Sequence, residues 1–262
     1  MAMLDFADQN VFVTGGSEGI GRAVAELFCR RGANVFLFAR NPKKLAAAAA
    51  AVQASGRAAV CRGYALDVTD AAAVAQVFQA VRNEHGDPDV LVNAAGHARP
   101  GLFTDIPPEE FDAMMRVNYL GIVHACRAVT PWLMARGRGQ IVNVASLGGL
   151  MPIAGYTGYA ASKAAVIAFS TALREEMRSN GVMVAVLCPP DTDTPGYRAE
   201  NEFKPPETAR LSGKCGLLTP EQVAEALMAG LERRQFLIIP GRRARIAAWL
   251  QRHCPSTLGL FR

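Results

Sequence analysis

The sequence lacks the features that mark membrane-spanning, disulfide-stabilised and metal-binding proteins. No run of apolar residues approaches the 18 that a helix needs to cross a bilayer. The six cysteines form no CxxC pair, which argues against a metal site. The first ten residues, MAMLDFADQN, contain no basic segment followed by an apolar one, so no secretory signal is expected. These absences predict reduced thiols, no bound metal and a cytoplasmic location.

Charge is modest overall but uneven along the chain. The net charge is +5, and after Glu232 the chain has seven arginines and no acidic residue. The basic residues are not interleaved with aromatic ones, so nucleic acid is not an expected partner. Half of the 262 residues are apolar, which is enough for one sizeable core.

Short apolar runs alternate with stretches of helical spacing along the whole chain. The apolar runs are NVFVTG, NVFLFAR, AVCRGYALDV, DVLVNAAG, QIVNVAS, VMVAVL and FLIIPG. This alternation predicts βαβ units, and strands that are apolar nearly throughout predict a sheet covered on both faces. We therefore expect an α/β fold, a three-layer doubly wound (Rossmann-type) and mostly parallel sheet, in a single domain over residues 1–262.

A glycine-rich turn follows the first predicted strand. It reads TGGSEGIG, and its glycines permit a tight turn and a close approach to a pyrophosphate at the start of a helix. Its position between a strand and a helix favours dinucleotide binding over a simple turn. The predicted contacts in this turn are Gly15, Ser17, Glu18, Gly19 and Ile20.

The ends of the next strands supply further candidate contacts. Arg40 ends the second strand, where an arginine accommodates the 2′-phosphate of NADP and an acidic residue would bind NAD. Lys44 adds a second positive charge, so NADPH is the expected cofactor. The alternative is that Arg40 is a surface residue that only caps the strand. Asp67 is placed to bind the adenine amino group, and Asn93 ends the fourth strand among the ligand-binding loops.

A serine, a tyrosine and a lysine form the candidate reacting group. Ser146 ends the strand QIVNVAS, and Tyr159 and Lys163 stand four residues apart in YAASK, on one face of a helix. An ammonium beside a phenol favours the phenolate and lowers a pKa that is otherwise about 10. Such a phenol can exchange a proton with a carbinol oxygen near neutral pH.

These motifs together resemble the short-chain dehydrogenase/reductase family over nearly the whole chain. TGGSEGIG, LDV, NAAG, the asparagine of RVNYLG, Ser146 and YAASK occur in that family's order. The resemblance implies hydride transfer between a nicotinamide and a carbonyl or alcohol carbon. It implies that Tyr159 is the general acid, that Ser146 holds the carbonyl oxygen and that Lys163 binds the nicotinamide ribose. It further implies that Asn118 supports a relay water, and that the chain forms a homodimer or homotetramer through its long central helices.

The loop CPPDTDTPG departs from the family's usual PG-x-V-x-T pattern. With the later stretch KPPETARLS it resembles the 3-ketodihydrosphingosine reductase branch, which implies a long-chain 2-amino-3-ketone substrate. By this resemblance Thr192 and Thr194 contact the cofactor, although Pro190 removes one backbone donor. Asp191 or Asp193 could pair with the substrate ammonium; alternatively, both only cap a turn.

Two segments near the C-terminus suggest further roles. Residues 196–216 are polar and contain prolines, which predicts a loop that acts as a mobile lid over the substrate or else has no role. The basic segment 241–262 begins with GRRARIAAWLQRH, where Ile246, Trp249 and Leu250 share one face of a predicted helix. Such a helix suits peripheral contact with a membrane surface, and the alternative is packing on its own domain or on a second subunit.

Two other functions remain open. One is reduction of another 3-ketone, such as a 3-ketoacyl thioester or a hydroxysteroid ketone, by the same chemistry. The other is an NADP-sensing scaffold that has kept the fold without the activity.

Overall fold

The computed structural model describes residues 6–56 and 60–254. Seven strands form its sheet: β1 (Asn10–Thr14), β2 (Asn34–Ala39), β3 (Cys61–Ala65), β4 (Val90–Asn93), β5 (Gly139–Val144), β6 (Val182–Leu187) and β7 (Leu237–Ile238). All pairings are parallel, in the order β3-β2-β1-β4-β5-β6-β7.

Helices connect these strands and cover both faces of the sheet. They are α1 (Gly19–Arg30), α2 (Pro42–Ser55), α3 (Ala71–His85), α4 (Pro108–Met115), α5 (Gly121–Arg136), α6 (Leu147–Leu150), α7 (Thr157–Met177), α8 (Pro195–Glu200), α9 (Pro206–Leu211), α10 (Pro220–Glu232) and α11 (Arg242–His253). A π-helical turn, Arg116–Leu120, joins α4 to α5, and a 3₁₀ turn, Arg178–Asn180, follows α7. The predicted doubly wound parallel sheet is confirmed.

The core lies in two layers, one on each face of the sheet. Val11 and Val13 of β1 pack in the layer formed with α1, α2 and α10, whereas Phe12 between them packs in the layer formed with α3, α5 and α7. The Phe12 ring contacts the rings of Phe36 and Phe78, with centroids 5.5 and 5.3 Å away. Alternate side chains of a strand point to opposite faces, so both faces of an apolar strand must be covered.

The two edges of the sheet depart from the expected pattern. β3 reads CRGYA and is partly exposed, because it lies at the edge and has a neighbouring strand on one side only. β7, predicted from FLIIPG, pairs over two residues. The expectation that all strands are apolar and covered therefore fails at β3.

Residues 196–216 contain helical structure, contrary to the predicted loop. Pro195 and Pro206 are the first residues of the short helices α8 and α9. Proline is favoured at this position, because its fixed φ suits a helix and its missing N–H would have no partner there.

The C-terminal helix α11 forms over the predicted basic segment, and residues 255–262 of that segment lie outside the described residues. Ile246 and Trp249 on α11 are each 57% exposed. Across residues 6–56 and 60–254, no helix combines the length and the apolar character needed to span a membrane.

Candidate active site

The site lies at the carboxyl ends of the strands, where the connections from β1 and β4 leave the sheet in opposite directions. In doubly wound sheets ligands bind at this point, because the loops diverge and open a crevice. A cavity of about 890 Å³ opens there. It is lined by fourteen of the predicted site residues: Gly15, Ser17, Glu18, Gly19, Ile20, Arg40, Lys44, Asp67, Ser146, Tyr159, Lys163, Asp191, Thr192 and Thr194.

The glycine turn between β1 and α1 has the shape needed to receive a pyrophosphate. Gly15 has a φ of +69°, and a Cβ placed on it would lie 2.5 Å from the Ala95 backbone nitrogen. Gly19 has a φ of +57°, and its Cβ would lie 3.1 Å from Cγ2 of Thr194. No side chain caps the N-terminus of α1. The free N–H groups there suit the phosphates of a dinucleotide.

The charged residues at the end of β2 differ in their availability. Lys44 Nζ forms an ion pair with Glu18 Oε2 at 2.8 Å, so it already has a partner. Arg40 is exposed, borders the cavity and has no hydrogen bond or ion pair among the described residues. Its guanidinium is therefore free to bind an anion.

Asp67 lies at the same end of the cavity, after β3. Its Oδ1 accepts hydrogen bonds from the backbone nitrogen and the hydroxyl of Thr69, at 2.9 and 2.8 Å. These bonds fix the carboxylate, and its Oδ2 carries no hydrogen bond from the described part of the chain.

Ser146 and Tyr159 meet beside Gly148. A Cβ on Gly148 would lie 3.5 Å from Ser146 Oγ and 3.8 Å from Tyr159 Cε1. Ser146 Oγ accepts a hydrogen bond from the Gly148 nitrogen at 3.0 Å and caps α6, which fixes the serine beside the Tyr159 hydroxyl. Two hydroxyl groups can therefore approach one ligand oxygen.

The expectation that Lys163 lowers the pKa of Tyr159 is not met in this structure. Burial raises the pKa of Tyr159 above its usual value of 10, the charge of Glu200 raises it further, and a hydrogen bond with Ser146 opposes them. Lys163 Nζ lies 5.7 Å from the centre of the Tyr159 ring and donates to the Val144 carbonyl oxygen at 2.9 Å. Burial lowers the pKa of Lys163 from 10.5 to about 8, so the amine is still mostly charged at pH 7 and loses its proton as the pH rises through 8.

Asn118 lies behind the cavity in the π-helical turn and does not line it. Its Oδ1 accepts from the His97 nitrogen at 2.7 Å, and its Nδ2 donates to the His97 carbonyl and to Ser162 Oγ at 2.8 and 2.9 Å. Both amide donors are used, so the side chain joins the loop after β4 to α7. A Cβ built on Gly96 would lie 3.6 Å from Asn118 Oδ1 and 3.7 Å from Lys163 Nζ. The asparagine thus supports the wall next to Lys163.

Besides Asn118, two other predicted site residues do not line the cavity. Asn93 is buried and its Nδ2 donates to Asn143 Oδ1 at 2.9 Å; Ala94, Ala95 and Gly96 line the cavity in its place. Asp193 forms a two-point ion pair with Arg198, at 2.7 and 2.9 Å, outside the cavity. Side-chain roles for Asn93 toward the cofactor and for Asp193 toward the substrate therefore have no support in the geometry.

Among the cavity residues that the sequence did not predict are Glu200 and Tyr156. Tyr156 Oη donates to Glu200 Oε2 at 2.8 Å, and the Tyr156 and Tyr159 ring centres are 5.7 Å apart. The two partners are 44 residues apart in sequence, so spacing gave no signal for the pair.

Comparisons with known proteins agree with this geometry. The family model described as short chain dehydrogenase matches residues 9–205. The chain is 39% identical to the 3-dehydrosphinganine reductase of Danio rerio and 38% identical to the 3-ketodihydrosphingosine reductase of Bos taurus, covering 87% of this chain and 69% of each relative.

Solved structures show the same fold. A short chain dehydrogenase/reductase from Burkholderia phymatum in complex with NAD matches with a TM-score of 0.85 and 25% identity, over 99% of this chain and 97% of that one. A short-chain dehydrogenase from Sphingobium yanoikuyae in complex with NADPH matches with a TM-score of 0.80 and 29% identity, over 96% and 94%. The site thus has the architecture of nucleotide-dependent oxidoreductases.

Proposed function

Since this chain belongs to the short-chain dehydrogenase family, we propose that it reduces 3-ketodihydrosphingosine to dihydrosphingosine with NADPH. The observation that carries the proposal is the convergence of the Ser146 and Tyr159 hydroxyls on one side of a cavity that also contains the glycine turn. The names of the two curated relatives supply the substrate class.

The residues at the glycine turn would hold the nucleotide. The N–H groups at the start of α1 would bind the diphosphate, and Arg40 would bind a 2′-phosphate. Thr192 and Thr194 line the same cavity and would contact the nucleotide, and Lys163 would bind the nicotinamide ribose. When bound, the nicotinamide supplies the hydride.

Tyr159 and Ser146 would complete the reduction at the carbonyl oxygen. As the carbonyl carbon gains the hydride, the Tyr159 phenol gives its proton to the oxygen, and the product is an alcohol. The Ser146 hydroxyl donates a hydrogen bond to the same oxygen and stabilises the negative charge that develops there. With its pKa raised above 10 the phenol is protonated at neutral pH, which is the state a proton donor needs, but the raised pKa also makes it a weaker acid.

The remaining cavity wall suits a lipid-like amino ketone. Met151, Ile153, Phe203 and Leu211 offer apolar surface, and Phe203 and Leu211 come from residues 196–216. Asp191 also lines the cavity, and its Oδ2 accepts from the Gly213 nitrogen at 2.6 Å. We propose that residues 196–216 cover the substrate and that Asp191 fastens this cover.

The test is NADPH oxidation by the purified chain, followed by absorbance. We expect a higher kcat/KM with 3-ketodihydrosphingosine than with a 3-ketoacyl thioester or a steroid ketone, and a higher kcat/KM with NADPH than with NADH. Preference for the thioester would overturn the substrate assignment while leaving the reductase class intact. Absence of turnover with every ketone, with nucleotide binding retained, would favour a nucleotide-sensing protein.

We further propose that the chain is a homo-oligomer and that α11 contacts anionic membranes. Leu120, the last residue of the π-helical turn before α5, and Met134 within α5 are 39% and 38% exposed, as expected for residues that a second subunit covers. On α11 the exposed Ile246 and Trp249 lie among arginines. Sedimentation analysis tests the first proposal. For the second, Trp249→Ser should weaken binding to anionic vesicles, and unchanged binding would refute it.

A further inference from the structure

The carboxylate of Glu200 is connected to the reacting group through one intervening side chain, that of Tyr156. Glu200 ends α8 and lines the cavity. Its Oε2 accepts the hydroxyl of Tyr156 at 2.8 Å, and the Tyr156 ring centre lies 5.7 Å from that of Tyr159. The carboxylate is therefore fixed through Oε2, and its Oε1 accepts no hydrogen bond from the described side chains.

Lys204 and His97 are the cations whose charges act on Glu200, and both form contacts with other residues. Lys204 donates to Asn201 Oδ1 at 2.8 Å and lies 3.8 Å over the Tyr197 ring. His97 Nε2 lies 2.7 Å from Glu110 Oε2. Within residues 6–56 and 60–254, Glu200 forms no ion pair.

A carboxylate without an ion-pair partner at this place works against ketone reduction. Burial raises the pKa of Glu200, and its negative charge raises that of Tyr159. The same charge disfavours the negative oxygen that develops on the substrate, since like charges repel strongly where water is excluded. A positive charge brought by the substrate, next to the carbonyl, would remove both effects.

The other two candidate acids are less available. Asp193 is paired with Arg198 outside the cavity, and one oxygen of Asp191 is used by the Gly213 backbone. Glu200 also has one oxygen held by a neutral donor, Tyr156, but the Tyr156 ring lies beside that of Tyr159, so this carboxylate lies near the reacting group and has no ion-pair partner among the described residues.

We propose that Glu200 is a specificity-determining residue that binds the ammonium group of a 2-amino ketone and so selects this class over uncharged ketones. The proposal rests on the proposed function and deepens it. The substrate ammonium donates to Glu200 while its neighbouring carbonyl oxygen faces Ser146 and Tyr159. An uncharged ketone leaves the carboxylate unpaired beside the reacting oxygen, and its transition state is less well stabilised.

The test compares two substrates in the Glu200→Gln variant. One is 3-ketodihydrosphingosine, and the other is a 3-ketone of the same chain length without the amino group. Glutamine keeps an acceptor for Tyr156 and removes the charge. We expect kcat/KM for the amino ketone to fall about 10- to 100-fold, while that for the uncharged ketone stays equal or rises. Glu202→Gln, an exposed position two residues away, is the matched control and should change neither value.

The outcomes separate the two proposals. An unchanged substrate ratio in Glu200→Gln, with wild-type protein preferring the amino ketone, would overturn the role of Glu200 alone. An equal loss with both ketones would show a structural role and would also overturn it. Wild-type protein that reduces other ketones but not the amino ketone would overturn the proposed function and the role of Glu200 with it. NADPH affinity of the variant, measured by fluorescence, reports whether the site has kept its fold.

Discussion

Lys163 Nζ donates to the Val144 carbonyl oxygen at 2.9 Å and lies 5.7 Å from the centre of the Tyr159 ring. The residue is 4% exposed, and its pKa falls from 10.5 to about 8. A basic group whose folded pKa is lowered destabilises the folded state at every pH where it is charged. The lysine that the proposed chemistry needs therefore carries a stability cost.

Replacing Lys163 by methionine tests that cost. Below pH 8 the Lys163 amine is protonated in both the folded and the unfolded chain, and in the folded protein this charge is buried. Between pH 8 and 10.5 only the unfolded chain holds the proton, so wild-type stability rises with pH across that window. We expect the variant to be more stable than wild type at pH 7 by about 1–3 kcal/mol, the upper end matching the full shift. The difference should shrink as pH approaches 10.5. Urea unfolding at several pH values measures it, and a variant that is less stable than wild type at pH 7 would contradict the prediction.

Tyr159→Phe should remove the proton donor without removing the ring. We expect kcat to fall by about 10²- to 10⁴-fold, the range for loss of a general acid, with little change in nucleotide affinity. Steady-state turnover and nucleotide titration measure the two effects. Tyr64→Phe, a change at the sheet edge where the hydroxyl contacts His85, is the control and should keep full activity. Turnover of Tyr159→Phe at the wild-type rate would refute the proposed chemistry.

Arg40→Ala should reduce affinity for NADPH and leave that for NADH unchanged. The loss of charge-assisted hydrogen bonds, worth about 1.5–3 kcal/mol, corresponds to a roughly 10- to 100-fold weaker NADPH complex. Lys43→Ala, which removes an exposed charge beside the cavity without changing its lining, serves for comparison. Equal losses for both nucleotides would mean that Arg40 does not read the 2′-phosphate.

Asn118→Ala should destabilise the fold and lower activity together. The change leaves the His97 nitrogen, the His97 carbonyl and Ser162 without their buried partner. We expect a loss of about 1–3 kcal/mol in the free energy of unfolding, because a buried polar group without a partner keeps its desolvation cost. Gln79→Ala, which removes an exposed bond to Asn83, should change stability by less than about 0.5 kcal/mol. Thermal unfolding of both variants measures the difference.

The sequence predicts the sheet well because burial on both faces leaves a readable pattern. Runs such as NVFVT and VMVAVL are apolar throughout, and each forms a strand in the structure. The pattern weakens where one side is open: β3 mixes polar and small residues, and two residues of FLIIPG pair as β7. Residues 196–216 look like a loop since their two helices are short and polar, and proline marks both loops and first helical turns.

The site was predictable where one segment carries the chemistry. Tyr159 and Lys163 share a helix, and the glycine turn is continuous, so local spacing places them. Glu200 was not predictable, because its role depends on a contact with Tyr156 across 44 residues. The choice between Asp191 and Asp193 needed the position of Arg198, which no local pattern supplies.

Thr194 and Glu200 lie at the two ends of the helix α8. Thr194 caps α8 through the Tyr197 nitrogen at 3.0 Å and lies against Gly19, while Glu200 ends that helix beside Tyr156. The helix between them has only six residues, so its two ends are expected to move together. If a bound nucleotide displaces Thr194, we expect Glu200 to move with the helix, and the dissociation constants for nucleotide and ketone would then depend on one another. Measuring the dissociation constant of each ligand in the presence and absence of the other would then report on this short helix.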